Sequence, residues 1–273
     1  MSATKPFPRD AMGVAHKPID PADDRIVSLV PSITELLFSL NLGDHIVART
    51  QFCVHPEGKV DALPSVGGTK KIKMDRLRAL EPTHVILNVD ENTKELAETL
   101  RTFVPNLVVT HPLQPRDNLD LFRMLGGMFD RGERAEALCQ DFEIALRAVM
   151  TFAPRLTDQR VLYLIWKDPW MTISPNTYIA RMLELVRWRP VSTDTRVRYP
   201  TVQMTKKLLD GVDIVLFSSE PFKFTEDHIS EFREKFKLPR KIMRMIDGEM
   251  VSWYGSRAIQ GLNYLRQAAT ETK

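Results

Sequence analysis

The sequence predicts an α/β fold of two similar lobes with parallel-type sheets, joined by one long helix. Three observations carry this expectation. Strand-like apolar runs alternate with amphipathic helix-like runs along most of the 273 residues, the pattern of βαβ units. A stretch of about 22 residues near positions 131–154 keeps a 3.6-residue period with no strand signal beside it. Finally, "LRALEPTHVIL" and "KKLLDGVDIVL" share one helix–turn–strand layout, with Leu80 five residues before Val85 and Leu209 five before Ile214. Duplication of one lobe produces such a repeat.

Taken in order, residues 1–24 read as an irregular, polar, proline-rich arm. Residues 25–130 form the first lobe. There "RIVSLV", "HIVART", "THVILN" and "NLVVTH" are strands, while "SITELLFSL", "KMDRLRAL", "KELAETLRTF" and "DNLDLFRMLGGMF" are helices. Met74, Leu77 and Leu80 mark the apolar face of the second helix. Residues 131–154 form the bridging helix, with Ala135, Leu138, Phe142, Ala145, Leu146 and Val149 on one stripe. Its length of roughly 33 Å suits a connection between lobes, and Pro154, lacking an N–H, is placed to end it. Residues 155–273 form the second lobe, with strands "RVLYLIW", "VDIVLF" and "KIMRMI" and helices "PNTYIARMLELV", "TVQMTKKLLDG", "TEDHISEFREKF" and "GSRAIQGLNYLRQAA".

Composition narrows the function. Apolar content of 43% and charged content of 27% describe an ordinary globular chain. A net charge of +3 is too small to imply a nucleic-acid or anionic-membrane partner. Basic clusters such as "TKKIKMDRLR" are interleaved with apolar residues and read as solvated helix faces. Two cysteines, Cys53 and Cys139, do not make a disulfide framework, and no run of 18 apolar residues is present to span a membrane. The opening segment lacks an apolar signal-like core, which predicts the cytoplasm.

The first strand-to-helix turn excludes nucleotide chemistry. Phosphate-binding turns need glycine and free N–H groups, whereas "PSITE" has a proline and no glycine. "SITE" has the form of a capping box, with Ser32 expected to accept from the Glu35 amide and Glu35 to reach back. Neither "VGGTK" nor any other stretch fits a phosphate-binding, G-x-S-x-G or H-E-x-x-H motif. The six histidines are scattered. No catalytic constellation is therefore expected from these motifs.

The ordered series "VSLVPSITELLF", "TQFCVHPEG", "SVGGTKK", "RLRALEPTHVILN", "VLYLIWKDPWM" and "SWYGSR" resembles the cobalamin- and iron-siderophore-binding proteins of ABC importers. These are the class III periplasmic-type binding proteins with a helical backbone. The resemblance covers about residues 25–268. It implies a monomer with an interlobe cleft that holds a metal chelate (cobalamin, an iron siderophore or haem) for an ABC permease, and it implies the periplasm as the compartment.

By that resemblance, Phe52 lies near a cleft tyrosine, and Asn88 stands where the cobalamin binder has a tryptophan. Trp166, Trp170, Trp253 and Tyr254 fall at cleft-facing aromatic positions, where rings can stack on a planar chelate. His55, Lys70, Glu91 and Arg257 are the polar candidates, with Lys71, Asp90 and Glu220 beside them; Arg257 and Lys70 suit an anionic chelate. Asp75 matches an acidic residue that docks on the permease. Its second-lobe counterpart falls among Met204, Thr205 and Lys206, and none of these is acidic. That departure supports an alternative, a cytoplasmic carrier or sensor of the same fold. Cys53 and His55, two apart in an extended segment, could also share one soft metal ion.

Overall fold

The computed structural model describes residues 8–17, 24–192 and 194–270, which fall into two compact units. The first comprises residues up to Pro112, Arg116–Asp141 and Tyr254–Arg257; the second comprises Leu113–Pro115, Phe142–Trp253 and the residues after Arg257.

In the first unit the chain forms β1 (Ile26–Ser28), α1 (Pro31–Ser39), β2 (Ile46–Arg49), α2 (Met74–Ala79), β3 (His84–Asn88), α3 (Lys94–Leu100), β4 (Asn106–Thr110) and α4 (Asp117–Met128). The strands make one parallel sheet in the order β2-β1-β3-β4, with Val27 opposite Val85 and His84 opposite Asn106. Helices on both faces explain why β3 is buried at all five positions instead of alternating. Val27, Leu29, Leu77, Val85, Leu87 and Leu100 form the centre of this core, each burial contributing about 1.5–3 kcal/mol.

The long helix α5 (Gly132–Phe152) gives its residues up to Asp141 to the first unit and the rest to the second. Its expected stripe, Ala135, Leu138, Phe142, Ala145, Leu146 and Val149, is buried throughout. The helix stops two residues before Pro154, which lies in a single 3-10 turn at Ala153–Arg155.

The second unit contains β5 (Gln159–Leu164), α6 (Tyr178–Glu184), β6 (Trp188–Pro190), α7 (Lys206–Leu209), β7 (Ile214–Ser218), α8 (Glu226–Phe236), β8 (Met243–Ile246) and α9 (Gly248–Ser252). The final helix, α10 (Arg257–Thr270), starts on the last residue of the first unit. The strand order β6-β5-β7-β8 repeats that of the first sheet, again all parallel. The repeat seen in sequence thus extends to the topology.

Three elements differ from expectation, one of them the short helix α9, which no sequence pattern announced. The helix expected over "TVQMTKKLLDG" shrinks to four residues, because Thr201 and Val202 pair with Met171 and Trp170 instead. Thr205 then caps what remains, its hydroxyl accepting from the Leu208 amide. Strand β6 gave no sequence signal; it is three residues long and contains Pro190, which an edge position tolerates.

Candidate ligand-binding faces

In open parallel α/β sheets, ligands sit outside the carboxyl ends of the strands, so the loops leaving the strands of each unit define its candidate face.

In the first unit the loop after β2 is closed by a backbone bond and tied to the loop after β3 by a side chain. Gln51 N–H donates to Gly67 at 2.7 Å, and Asn92 Nδ2 donates to the Thr69 carbonyl at 2.7 Å. Gly67 has φ +114°, and a Cβ there would lie 2.5 Å from the Lys71 carbonyl, so only glycine fits the turn. Beside it stands Phe52, 51% exposed, its ring edge 3.3 Å from where a Gly68 Cβ would be. Lys70 and Lys71 are exposed on the same turn, and His55 is half-buried.

Asn88 is enclosed and acts as a splint for the loop after β3. Its Nδ2 donates to the Thr110 carbonyl at 3.1 Å, and its Oδ1 accepts from the Asp90 amide at 2.8 Å. Asp90 in turn lies 3.6 Å from His111, a residue sequence reasoning did not single out. Glu91 accepts from the Tyr254 hydroxyl at 2.8 Å. Tyr254 is 7% exposed, and burial followed by the Glu91 charge pushes its hydroxyl well above the usual phenol range.

Arg257 is only 8% exposed and forms a two-pronged pair with Glu35, at 2.7 and 2.8 Å. This overturns the capping box. Helix α1 starts at Pro31 with Val30 as an uncapped N-cap, which places Ser32 inside the first turn, and the Glu35 carboxylate turns to a guanidinium 222 residues away. Around this pair, Gly255 N–H donates to Asn118 Oδ1 at 2.6 Å, and Ser39 donates to Ser256 at 2.9 Å.

The two residues that could share a metal ion are placed differently, Cys53 buried and His55 half-buried. Cys53 is fully buried, with the hydroxyls of Thr34 at 3.1 Å and Thr50 at 3.2 Å. Burial pushes its thiol above the ordinary value. Among the described residues, no group of three His, Cys, Asp or Glu side chains could hold a metal ion.

In the second unit the rings gather at the ends of β5 and β7. Trp166 is 39% exposed and meets Phe222 edge-on at 5.5 Å. Phe222, absent from the sequence-derived candidates, is signalled only by the aromatic pair in "EPFKF". Trp170 turns inward, lying parallel to Phe224 at 6.0 Å and edge-on to Phe232 at 5.2 Å. It borders a cavity of about 160 Å³ with Lys167, Asp168, Glu231, Phe232 and Lys235. Trp253 is 7% exposed, and its indole N–H donates to Glu220 at 2.8 Å. Burial, more than the nearby Glu249 and Asp247, raises the Glu220 carboxyl above its usual range. Of the three expected tryptophans, then, Trp166 alone presents its ring openly to solvent.

The two units thus share one parallel α/β architecture, with aromatic rings at the strand ends of each. The Periplasmic binding protein family model matches residues 26–239, and this chain belongs to that family. It is 22% identical over 209 residues to the vitamin B12-binding protein of Vibrio parahaemolyticus, covering 77% of this chain and 74% of that one. Its fold is that of the periplasmic vitamin B12 binding protein BtuF of Vibrio cholerae, with a TM-score of 0.80, 17% identity and coverage of 91% and 97%. It is equally that of the periplasmic heme-binding protein RhuT from Roseiflexus sp. RS-1, with a TM-score of 0.76, 20% identity and coverage of 91% and 98%. No helix among the described residues is long and apolar enough to cross a membrane.

Proposed function

We propose that this chain is the cargo-binding member of an ABC import system and that it binds, without altering, a metal chelate of the cobalamin, haem or iron-siderophore class. The observation that carries this reading is Trp166, a large ring left 39% exposed at the end of β5 with Phe222 against its edge. An aromatic pair on a strand end suits a flat, bulky guest, which can stack on the open face of the indole. Phe52 offers a comparable exposed ring on the first unit. Relatives named for vitamin B12 and heme favour a macrocycle over a small metabolite.

Titration with cyanocobalamin, haemin and a ferric siderophore, read by tryptophan fluorescence, tests the proposal. One of the three should quench with a dissociation constant that Trp166→Ala weakens by about fivefold to tenfold, the value of roughly 1–1.4 kcal/mol of stacking. No response to any of the three would overturn the reading. Family membership favours the periplasm, which fractionation of tagged cells checks.

A second reading has its own observation. Asp75 is exposed in the first turn of α2, but the first turn of α7 carries no acid and presents Lys206 and Lys207. That asymmetry favours a carrier that docks on no permease, or on one with a different charge pattern. Loss of permease co-purification in Asp75→Arg would support the importer role over the carrier role.

A further inference from the structure

We propose that residues 8–17 form a strap whose task is to cover the free edge of the first sheet, and that the occupant it excludes is β4 of a second copy of this chain. An uncovered strand edge is a template for pairing with another chain, and proteins blunt edges with charge, proline or a covering segment. Three of the four sheet edges are blunted in these ways. Edge strand β2 is covered by its own loop, with Arg49 N–H donating to Pro64 and Val66 N–H to Arg49. Strand β6 carries Arg189 and Pro190, and β8 carries Arg244. Strand β4, Asn-Leu-Val-Val-Thr, has neither charge nor proline.

The bonding of β4 shows which groups face outward. Asn106 N–H donates to Thr83, and Val89 N–H donates to the Thr110 carbonyl, so residues 106 and 110 point towards β3. By alternation Leu107 and Val109 face away. The strap takes both backbone groups of Val109. Its N–H donates to Asp10 Oδ2 at 3.1 Å, and its carbonyl accepts from the Ala11 amide at 2.9 Å. Asp10 is the hub of the strap. Its carboxylate also accepts from the amides of Met12 at 2.9 Å and Val14 at 3.0 Å, and pairs with His16 at 3.2 Å. The Asp10 and His16 side chains are 0% and 3% exposed, so the anchor is enclosed although Met12 and Val14 at its tip are open.

Sedimentation velocity over a concentration series, together with amide hydrogen exchange, tests this on the full chain. Wild type should sediment at 31.3 kDa with Val109 protected. Asp10→Ala should exchange Val109 at least about tenfold faster and grow towards twice the mass as concentration rises. Adding Val109→Pro to Asp10→Ala should restore the monomer, because that N–H is not used towards β3. A folded Asp10→Ala that stays monomeric with Val109 still protected overturns the proposal, as does a wild type already paired through β4. Should Asp10→Ala fail to fold, His16→Gln removes one partner of the hub and is read the same way. Rapid exchange of Val109 in wild type would by itself sink the idea.

Discussion

His84 concentrates the electrostatics of the first core in one side chain. It is 1% exposed, stacks edge-on against Phe129 at 4.8 Å, and has Thr83 Oγ1 3.0 Å from Nδ1. Burial, and then the like charge of His16, pushes its imidazole down to about 4 from an ordinary value of 6.5. Between those values the unfolded chain takes up a proton that the folded chain refuses. Stability is therefore fully present above pH 6.5 and is lost as pH falls towards 4, by roughly 3 kcal/mol in all. Urea unfolding at pH 7, 5.5 and 4.5 should show wild type losing more stability than His84→Gln over that window. The opposite trend would mean that Asp24, 3.7 Å from Nδ1, governs the site. Neither the histidine's depth nor its neighbours could be read from "PTHVILN", because the pattern of a short strand does not say how deeply its first position is covered by residues from elsewhere.

At the scale of elements, the short segment Tyr254–Arg257 does more than its length suggests. It returns to the first unit and is held there by Glu91, Asn118, Ser39 and Glu35. Gly255, at φ +86°, makes the turn possible, since a Cβ would sit 3.2 Å from the Ser32 carbonyl. The Glu35–Arg257 pair is enclosed on both sides, so removing one partner strands a buried charge. Arg257→Met should cost about 3–5 kcal/mol in denaturant unfolding, and Glu35→Gln with Arg257→Met should recover a large part. Equal losses in the single and double variants would show that the pair is screened by water. Sequence reasoning selected both residues but assigned Glu35 to its own helix and Arg257 to a ligand. Local patterns such as S-x-x-E describe the nearest partner, and a guanidinium arriving from the other end of the chain outcompetes a backbone amide.

For the molecule as a whole, the consequence of binding is measurable before the cargo is known. A ligand that binds only the folded form adds about 2.7 kcal/mol at a hundredfold excess over its dissociation constant. The proposed chelate should therefore raise the thermal midpoint by several degrees, while chelates that do not bind leave it unchanged. A panel in which none shifts the midpoint counts against a chelate cargo and leaves the fold assignment intact.

The α/β class, the duplicated layout and the stripe of α5 followed from sequence alone, because hydrophobic period and helix–strand alternation are properties of neighbouring residues. The same holds for the family, whose short motifs are contiguous. Only the tertiary structure decided that Trp166 is open, Trp170 half-buried and Trp253 enclosed, that Cys53 lies between two threonines, and that Arg257 pairs with Glu35. Each of those outcomes depends on which groups meet after folding, across 19 residues for Cys53 and Thr34, 33 for Trp253 and Glu220, and 222 for Arg257 and Glu35, and such meetings leave no trace in the spacing of nearby residues.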